Sequence, residues 1–289
     1  MTALRLAAVG LAATLLVAAC AGSATSSQPA GSLPAQASTA PDASLPVAAD
    51  SVTAYRAYLV TNADLLVARV KPFVDAVVAG KVAQAKALYP TAHEPYERID
   101  VVSDVFGDLD PAINEAESDV AAGATFSGFH RLEKALWQAN STTGMVPVAR
   151  KLQSDAIALQ ALVKTVDLDP ATIANGAVSV LNDISGSKTS GSAERFSHTD
   201  VWDIEANVDG VQAAWTAVKP LVLPRAPALA ATIDDGLTAI HDALQPFQKG
   251  SSWVAFTTLK PADTQALGGL VDALADPFSQ VAAIVVSVQ

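Results

Sequence analysis

Cysteine is almost missing from this chain: the single one, Cys20, leaves everything after it without a disulfide or a thiolate metal site. Aromatic residues make up only 6% of the sequence, and runs that alternate β-branched and polar residues are scarce, which speaks against a sheet protein. Positive charge is also short, with 18 Lys and Arg against 29 Asp and Glu and a net charge of −11. Nucleic-acid binding depends on basic patches, so no nucleic-acid partner is expected, whereas an acidic surface attracts cations. There is no phosphate loop, dinucleotide fingerprint, Gly-x-Ser-x-Gly elbow or His-Glu-x-x-His zinc-protease motif. Beyond the N-terminus no apolar segment is read as long enough to cross a membrane, and the run from Val281 to Val288 is read as a helix end.

The N-terminus is informative. Arg5 is the only charge before a largely apolar run from Leu6 to Ala19 that stops at Cys20. A charged start and a short apolar core mark a secretion signal, assigned to residues 1–19. Val17-Ala18-Ala19-Cys20 resembles a bacterial lipobox, in which the cysteine is acylated and holds the protein to a membrane outside the cytoplasm. An ordinary signal peptide with a chance cysteine is the alternative. Residues 20–50 are built from Ser, Ala, Pro, Thr, Gly and Gln without an aromatic. Such a segment buries too little apolar surface to offset its ordering entropy and is read as a flexible tether. Residues 51–289 remain for the folded part.

That part reads as all-α. Tyr58, Leu59, Leu65, Leu66, Val70, Phe73, Val74 and Val77 follow the spacing of one helix face, and Gly80 ends it. Leu152, Ala156, Leu159, Val163 and Val166 repeat the pattern, as do Leu267, Leu270, Val271, Leu274, Phe278, Val281 and Val285. Pro95 is expected to open a helix through Phe106, and Asp110-Pro111 and Asp169-Pro170 to cap two more. Many helices on short connections pack as bundles, here divided near Gly144. The polar stretch from Gly186 to Ser197 is expected on the surface beside a functional face.

Three pairs of ionisable residues stand three apart. His130 and Glu133 would project from one helix face, as imidazole–carboxylate pairs do in metal-holding bundles. A core histidine satisfied by a carbonyl, with Glu133 paired to Arg131 or Lys134, explains the same spacing. Glu97 and Asp100, with Asp104 a turn further on, form the second pair, and Asp200 and Asp203 the third. Each reads equally as a solvated face or, at Asp200, as a helix cap. Buried together they would need a cation.

Gly128-Phe129-His130-Arg131-Leu132-Glu133-Lys134-Ala135-Leu136-Trp137 resembles the Gly-x-His-x-x-Glu signature of the imelysin-like family, which is also filed as a peptidase family. Tyr96 to Asp110, Asn175-Gly176-Ala177 and Ser197 to Gly210 resemble its EfeO-type branch, and the likeness runs from about Ser51 to the C-terminus. The resemblance implies two similar four-helix-bundle-like halves with a metal site in the cleft between them. By position it makes His130 and Glu133 metal ligands, joined by Glu97, Asp100, Asp203 and Asp200. Asp100 stands where a glutamate is expected. The tether takes the place of the N-terminal cupredoxin domain of many such proteins, as in a short form of the family. The function implied is iron capture, ferrous or ferric, and delivery to a membrane iron permease, with a haem peroxidase-like protein as further partner. An oxygen-rich set with imidazole suits hard cations, so manganese, calcium and zinc are also compatible. The alternatives are a metal-dependent peptidase and a protein that binds acidic polysaccharide through a bridging cation.

Overall fold

The structure is a computed structural model and describes residues 44–286. The expectations for residues 1–19, for acylation of Cys20 and for the tether up to residue 43 lie outside the described residues. Nine α-helices are found among the described residues, with one two-stranded antiparallel hairpin, Gln248–Lys249 with Ser252–Trp253. The all-α expectation holds.

Helix α1 (Ser44–Val78) begins inside the segment read as a tether, because Ala48 and Ser51 are already buried on its inner face. Its end follows the glycine rule. Gly80 takes φ +73°, its N–H bonds the Val77 carbonyl at 3.1 Å, and the Lys81 N–H bonds the Ala76 carbonyl at 2.9 Å.

Helix α2 (Val82–Ile99) contradicts the expected start at Pro95, since it runs straight through Pro90 and Pro95 and gives way to a 3₁₀ segment at Asp100–Val105. Proline removes the N–H that would serve the Thr91 carbonyl. That carbonyl accepts instead from Arg69 of α1 at 3.2 Å, so it is not left without a partner where the helix passes Pro95. The short α3 (Leu109–Asn114) is not capped by Asp110 either. Asp110 lies inside it and accepts from the Tyr96 hydroxyl at 2.5 Å. Then come α4 (Gly128–Trp137), α5 (Val146–Leu162), α6 (Pro170–Gly186), α7 (Asp200–Val222), α8 (Pro227–Leu244) and α9 (Pro261–Val286). At α6 the cap is as expected, with the Asp169 carboxylate accepting from the Thr172 N–H at 2.7 Å.

Helix α1 packs on α2 and α5, with α3 and α4 against α5, while α6 packs on α7 and α9, and α8 on α7 and α9. Helix α5 packs back on α1, and the described residues form a single compact unit. The two sets meet where α7 lies along α2 and α1 and where α6 meets Asp100–Val105. Glycine makes this approach possible: a Cβ on Gly176 of α6 would lie 1.6 Å from the Val101 carbonyl oxygen, and one on Gly210 of α7 2.4 Å from that of Arg98. Arg98 then ties the sets together by charge, donating to Glu94 at 2.7 Å and to Asp209 of α7 at 3.1 Å.

Helix α9 is long and apolar enough to cross a membrane, with mean hydropathy 1.4 over its best window, contrary to the reading that no such segment follows the N-terminus. Its buried stripe of Leu267, Val271, Leu274, Phe278, Val281 and Val285 packs on α6 and α8.

Candidate metal centre

Members of all three sequence pairs, Asp100 excepted, come together where α2, α4 and α7 meet the 187–199 connection. His130 and Glu133 share the inner face of α4, and Glu97 of α2 and Asp200 and Asp203 of α7 face the same region, all of them buried. Two residues not singled out in the sequence complete it. His93 sits one turn before Glu97, and Glu194 comes from the polar connection; both are fully buried.

His93 is the hinge of the geometry. Its Nε2 meets Asn114 Oδ1 at 2.5 Å and Glu97 Oε1 at 3.1 Å, so this nitrogen carries the N–H. Its Nδ1 lies 3.2 Å from Glu194 Oε1 and 3.6 Å from Asp203 Oδ1, yet makes no hydrogen bond. A metal-ligating histidine characteristically donates its other N–H to an oxygen acceptor, which fixes the ring and frees the opposite lone pair. His130 Nδ1 is 3.6 Å from Glu194 Oε1 and 3.5 Å from Glu133 Oε2, again without a hydrogen bond. This is not a core histidine whose Nδ1 is satisfied by a carbonyl.

The carboxylates are anchored on one side and open on the other. Glu133 Oε1 accepts from the amides of Phe196 and Ser197 at 2.9 and 2.7 Å, while Oε2 has no partner. Of the two partners that the alternative reading offered it, Arg131 and Lys134, the second pairs with Glu117 instead. Glu194 accepts from the Tyr89 hydroxyl at 3.0 Å and from Ser197 Oγ at 2.6 Å. Asp200 does not cap α7; its Oδ1 accepts from the Glu194 amide at 3.1 Å, and its Oδ2 is free. Both oxygens of Asp203 are buried without a partner. His93, His130 and Glu194 place one ligand atom each within 4.8 Å of one another, and so do His93, Glu97 and Asp203.

The charges explain the strain in the site. Burial, reinforced by Glu194, pushes the Asp203 carboxyl well above its usual range, and burial pushes Asp200 up to about 7. Burial and then Glu194 also raise Glu133. For Glu194 the burial penalty is outweighed by His93 and His130, which hold it low. For His93 burial opposes protonation, but Asp203 and Glu97 outweigh it and raise the ring well above its ordinary value. Glu97 is held low against its burial by Lys188 and His93. Unpaired buried acceptors of this number are costly, and a cation is the group that satisfies them together.

Asp100 stands apart. It lies half-buried in the 3₁₀ segment, where burial and Glu97 raise it to about 7. With Asp110, Asp183, Lys188 and Arg195 it lines a cavity of about 980 Å³ that reaches Glu97, His130 and Asp203. The 187–199 connection borders the functional region as expected, but it is only partly on the surface, since it buries Lys188 and Glu194.

The imelysin family model matches residues 51–281, and the chain belongs to that family. It is similar to the iron uptake system component EfeO of Escherichia coli, with 36% identity over 234 residues that cover 80% of this chain and 62% of that protein. The EfeO proteins of Shigella flexneri and Shigella sonnei match equally, at 36% identity over the same share of each chain. The chain thus spans about 62% of the length of these curated relatives.

Proposed function

We propose that this chain is an extracytoplasmic iron-binding component of an iron uptake system, tied to a membrane by a lipid on Cys20. It holds iron on the imidazoles of His93 and His130 and the carboxylates of Glu194, Glu133 and Asp203, and hands it to a membrane iron permease. A haem peroxidase-like protein serves the same system. Asp200 fastens the Glu194 loop from the next layer, and Asp100 belongs to the acidic approach. The two helix sets are the two bundle-like halves of the family, with the centre in the cleft between them.

One observation carries the reading: five buried donor or acceptor atoms of His93, His130, Glu133 and Asp203 converge around Glu194 without hydrogen bonds. Oxygen donors with imidazole and no thiolate suit iron in either oxidation state. The relatives' printed role as iron uptake components supports iron among the compatible cations. Anaerobic titration of the mature protein with ferrous iron, and aerobic titration with a chelated ferric salt, tests this. A saturable complex is expected with at least one of them. A folded chain that takes up neither would remove iron as its cargo.

A further inference from the structure

His93 divides the acidic cluster into two unlike sides. Beyond its Nδ1 stand His130 Nδ1, Glu133 Oε2 and both Asp203 oxygens, none with a hydrogen-bond partner. Beyond its Nε2 stands Glu97, whose oxygens are fully engaged. Oε1 accepts from Asn114 at 3.0 Å, and Oε2 from Asn207 at 2.9 Å and from the Lys188 ammonium.

Lys188 is an unusual occupant. It is 3% exposed, at the start of the 3₁₀ turn Lys188–Ser190. An ammonium is buried this deeply only when an anion balances it. Besides Glu97, the acids that act on it are Asp203 and Asp100 of the same region and Asp183, which lies 3.7 Å away and is half-exposed. Glu97, His93 and Asp203 nevertheless place ligand atoms within 4.8 Å of one another, close enough to hold a cation of their own. Asp203 has two free oxygens, so it could serve an ion on either side, as bridging carboxylates do in two-metal helical bundles.

We infer that Lys188 is a built-in counter-ion that fills the Glu97 side of the cluster, so that the chain takes one metal ion, and that removing its charge opens Glu97, with Asp203 as the bridging carboxylate, to a second. The inference rests on the metal-binding reading of the same centre and fixes its stoichiometry. An ammonium against Glu97 supplies the positive charge that a second ion would bring and repels that ion at short range. Lys188 thereby acts as a specificity-determining residue for the number of ions held.

The test counts ions in the mature chain with manganese(II) as the probe, by equilibrium dialysis and by the paramagnetic resonance of the bound ion. Wild type and Lys188→Arg, which keeps the charge, should hold one ion each. Lys188→Met, which keeps the length and loses the charge, should hold two, with the resonance broadened by coupling between neighbouring ions. Two ions in wild type, or one in a cooperatively melting Lys188→Met, would overturn the inference while leaving the metal-binding reading intact. A wild type that binds no manganese would overturn the one-ion stoichiometry as stated, while the iron reading stands or falls by its own titration. Because a lone buried charge can prevent folding, the neutral pair Glu97→Gln with Lys188→Met provides a second check. It should hold one ion with wild-type affinity. Loss of that ion would make Glu97 a ligand of the first site and refute the role given to Lys188.

Discussion

The imidazoles of His93 and His130 stand edge to face at 88°, centroids 5.6 Å apart, and both turn Nδ1 toward Glu194 Oε1, at 3.2 and 3.6 Å. Two rings from different helices, each with an unbonded nitrogen aimed at one carboxylate oxygen, are placed as ligands around a shared ion. Replacing His93 with alanine should therefore weaken iron binding as much as replacing His130. The loss should exceed the roughly 10–100-fold that partners one layer beyond a metal cost when removed. Titration of both variants beside wild type measures it. Wild-type affinity in His93→Ala would take His93 out of the ligand set.

Protonation should compete with the metal. Asp203 and Glu133 are raised and Asp200 is raised to about 7, so near neutrality the folded chain binds protons that the unfolded chain has released. Their contribution to stability is present at low pH and is lost as pH rises through those folded values. His93, also raised, acts in the same direction. Glu97 and Glu194 are lowered, and their contribution is lost only on acidification below the ordinary carboxylate range. From about pH 5 to pH 8 the metal-free melting temperature should fall, while the rise on adding metal grows. Binding should also release protons, read as a buffer-dependent enthalpy in calorimetry. A metal-induced rise that shrinks with increasing pH would contradict this.

Much of this was legible from local pattern. The stripes of α1, α5 and α9 report a helix face against a core, and the three-residue step from His130 to Glu133 survives into the structure because α4 is a regular helix. His93 also had a local signal, the four-residue step to Glu97. It lies two residues before Pro95, which reads as a helix start when the guanidinium that takes up the freed carbonyl sits on another helix. Glu194 had none. It stands in a connection rich in serine and glycine, and only the return of that loop over α4, fixed by the Phe196 and Ser197 amides, brings it inward.

Those amides decide what Glu133 does without metal. Removing its charge relieves repulsion from Glu194, which favours the metal-free fold. Removing its oxygen leaves two N–H groups without an acceptor, a loss on the order of 1–3 kcal/mol each where they are buried. Glu133→Gln keeps an oxygen and should melt close to the metal-free wild type, whereas Glu133→Ala should melt lower. Both should lose most of the metal-induced rise. Metal-free melts in which alanine is the more stable of the two would show that the anchoring of the loop matters less than the repulsion.

Gly128, the first residue of the Gly-x-His-x-x-Glu motif, sets where α4 starts. It takes φ +75°, and a Cβ there would lie 2.1 Å from the Ile113 carbonyl oxygen and 2.5 Å from its carbon. Both atoms are backbone and cannot rotate aside. The next residue is Asn114, which holds His93 Nε2 and Glu97 Oε1, so pushing the end of α3 away disturbs the ring that faces the metal. Gly128→Ala should cost about 1–3 kcal/mol for the strained backbone and a similar amount for the overlap. Stability and metal affinity should drop together. Gly123→Ala separates the two causes, since Gly123 has φ +86° but open space where the Cβ would stand. It should carry the backbone strain alone and bind iron as wild type does. Thermal melts and iron titrations of both variants decide the matter, and equal iron affinity in Gly128→Ala and Gly123→Ala would show that the motif glycine does not position the centre.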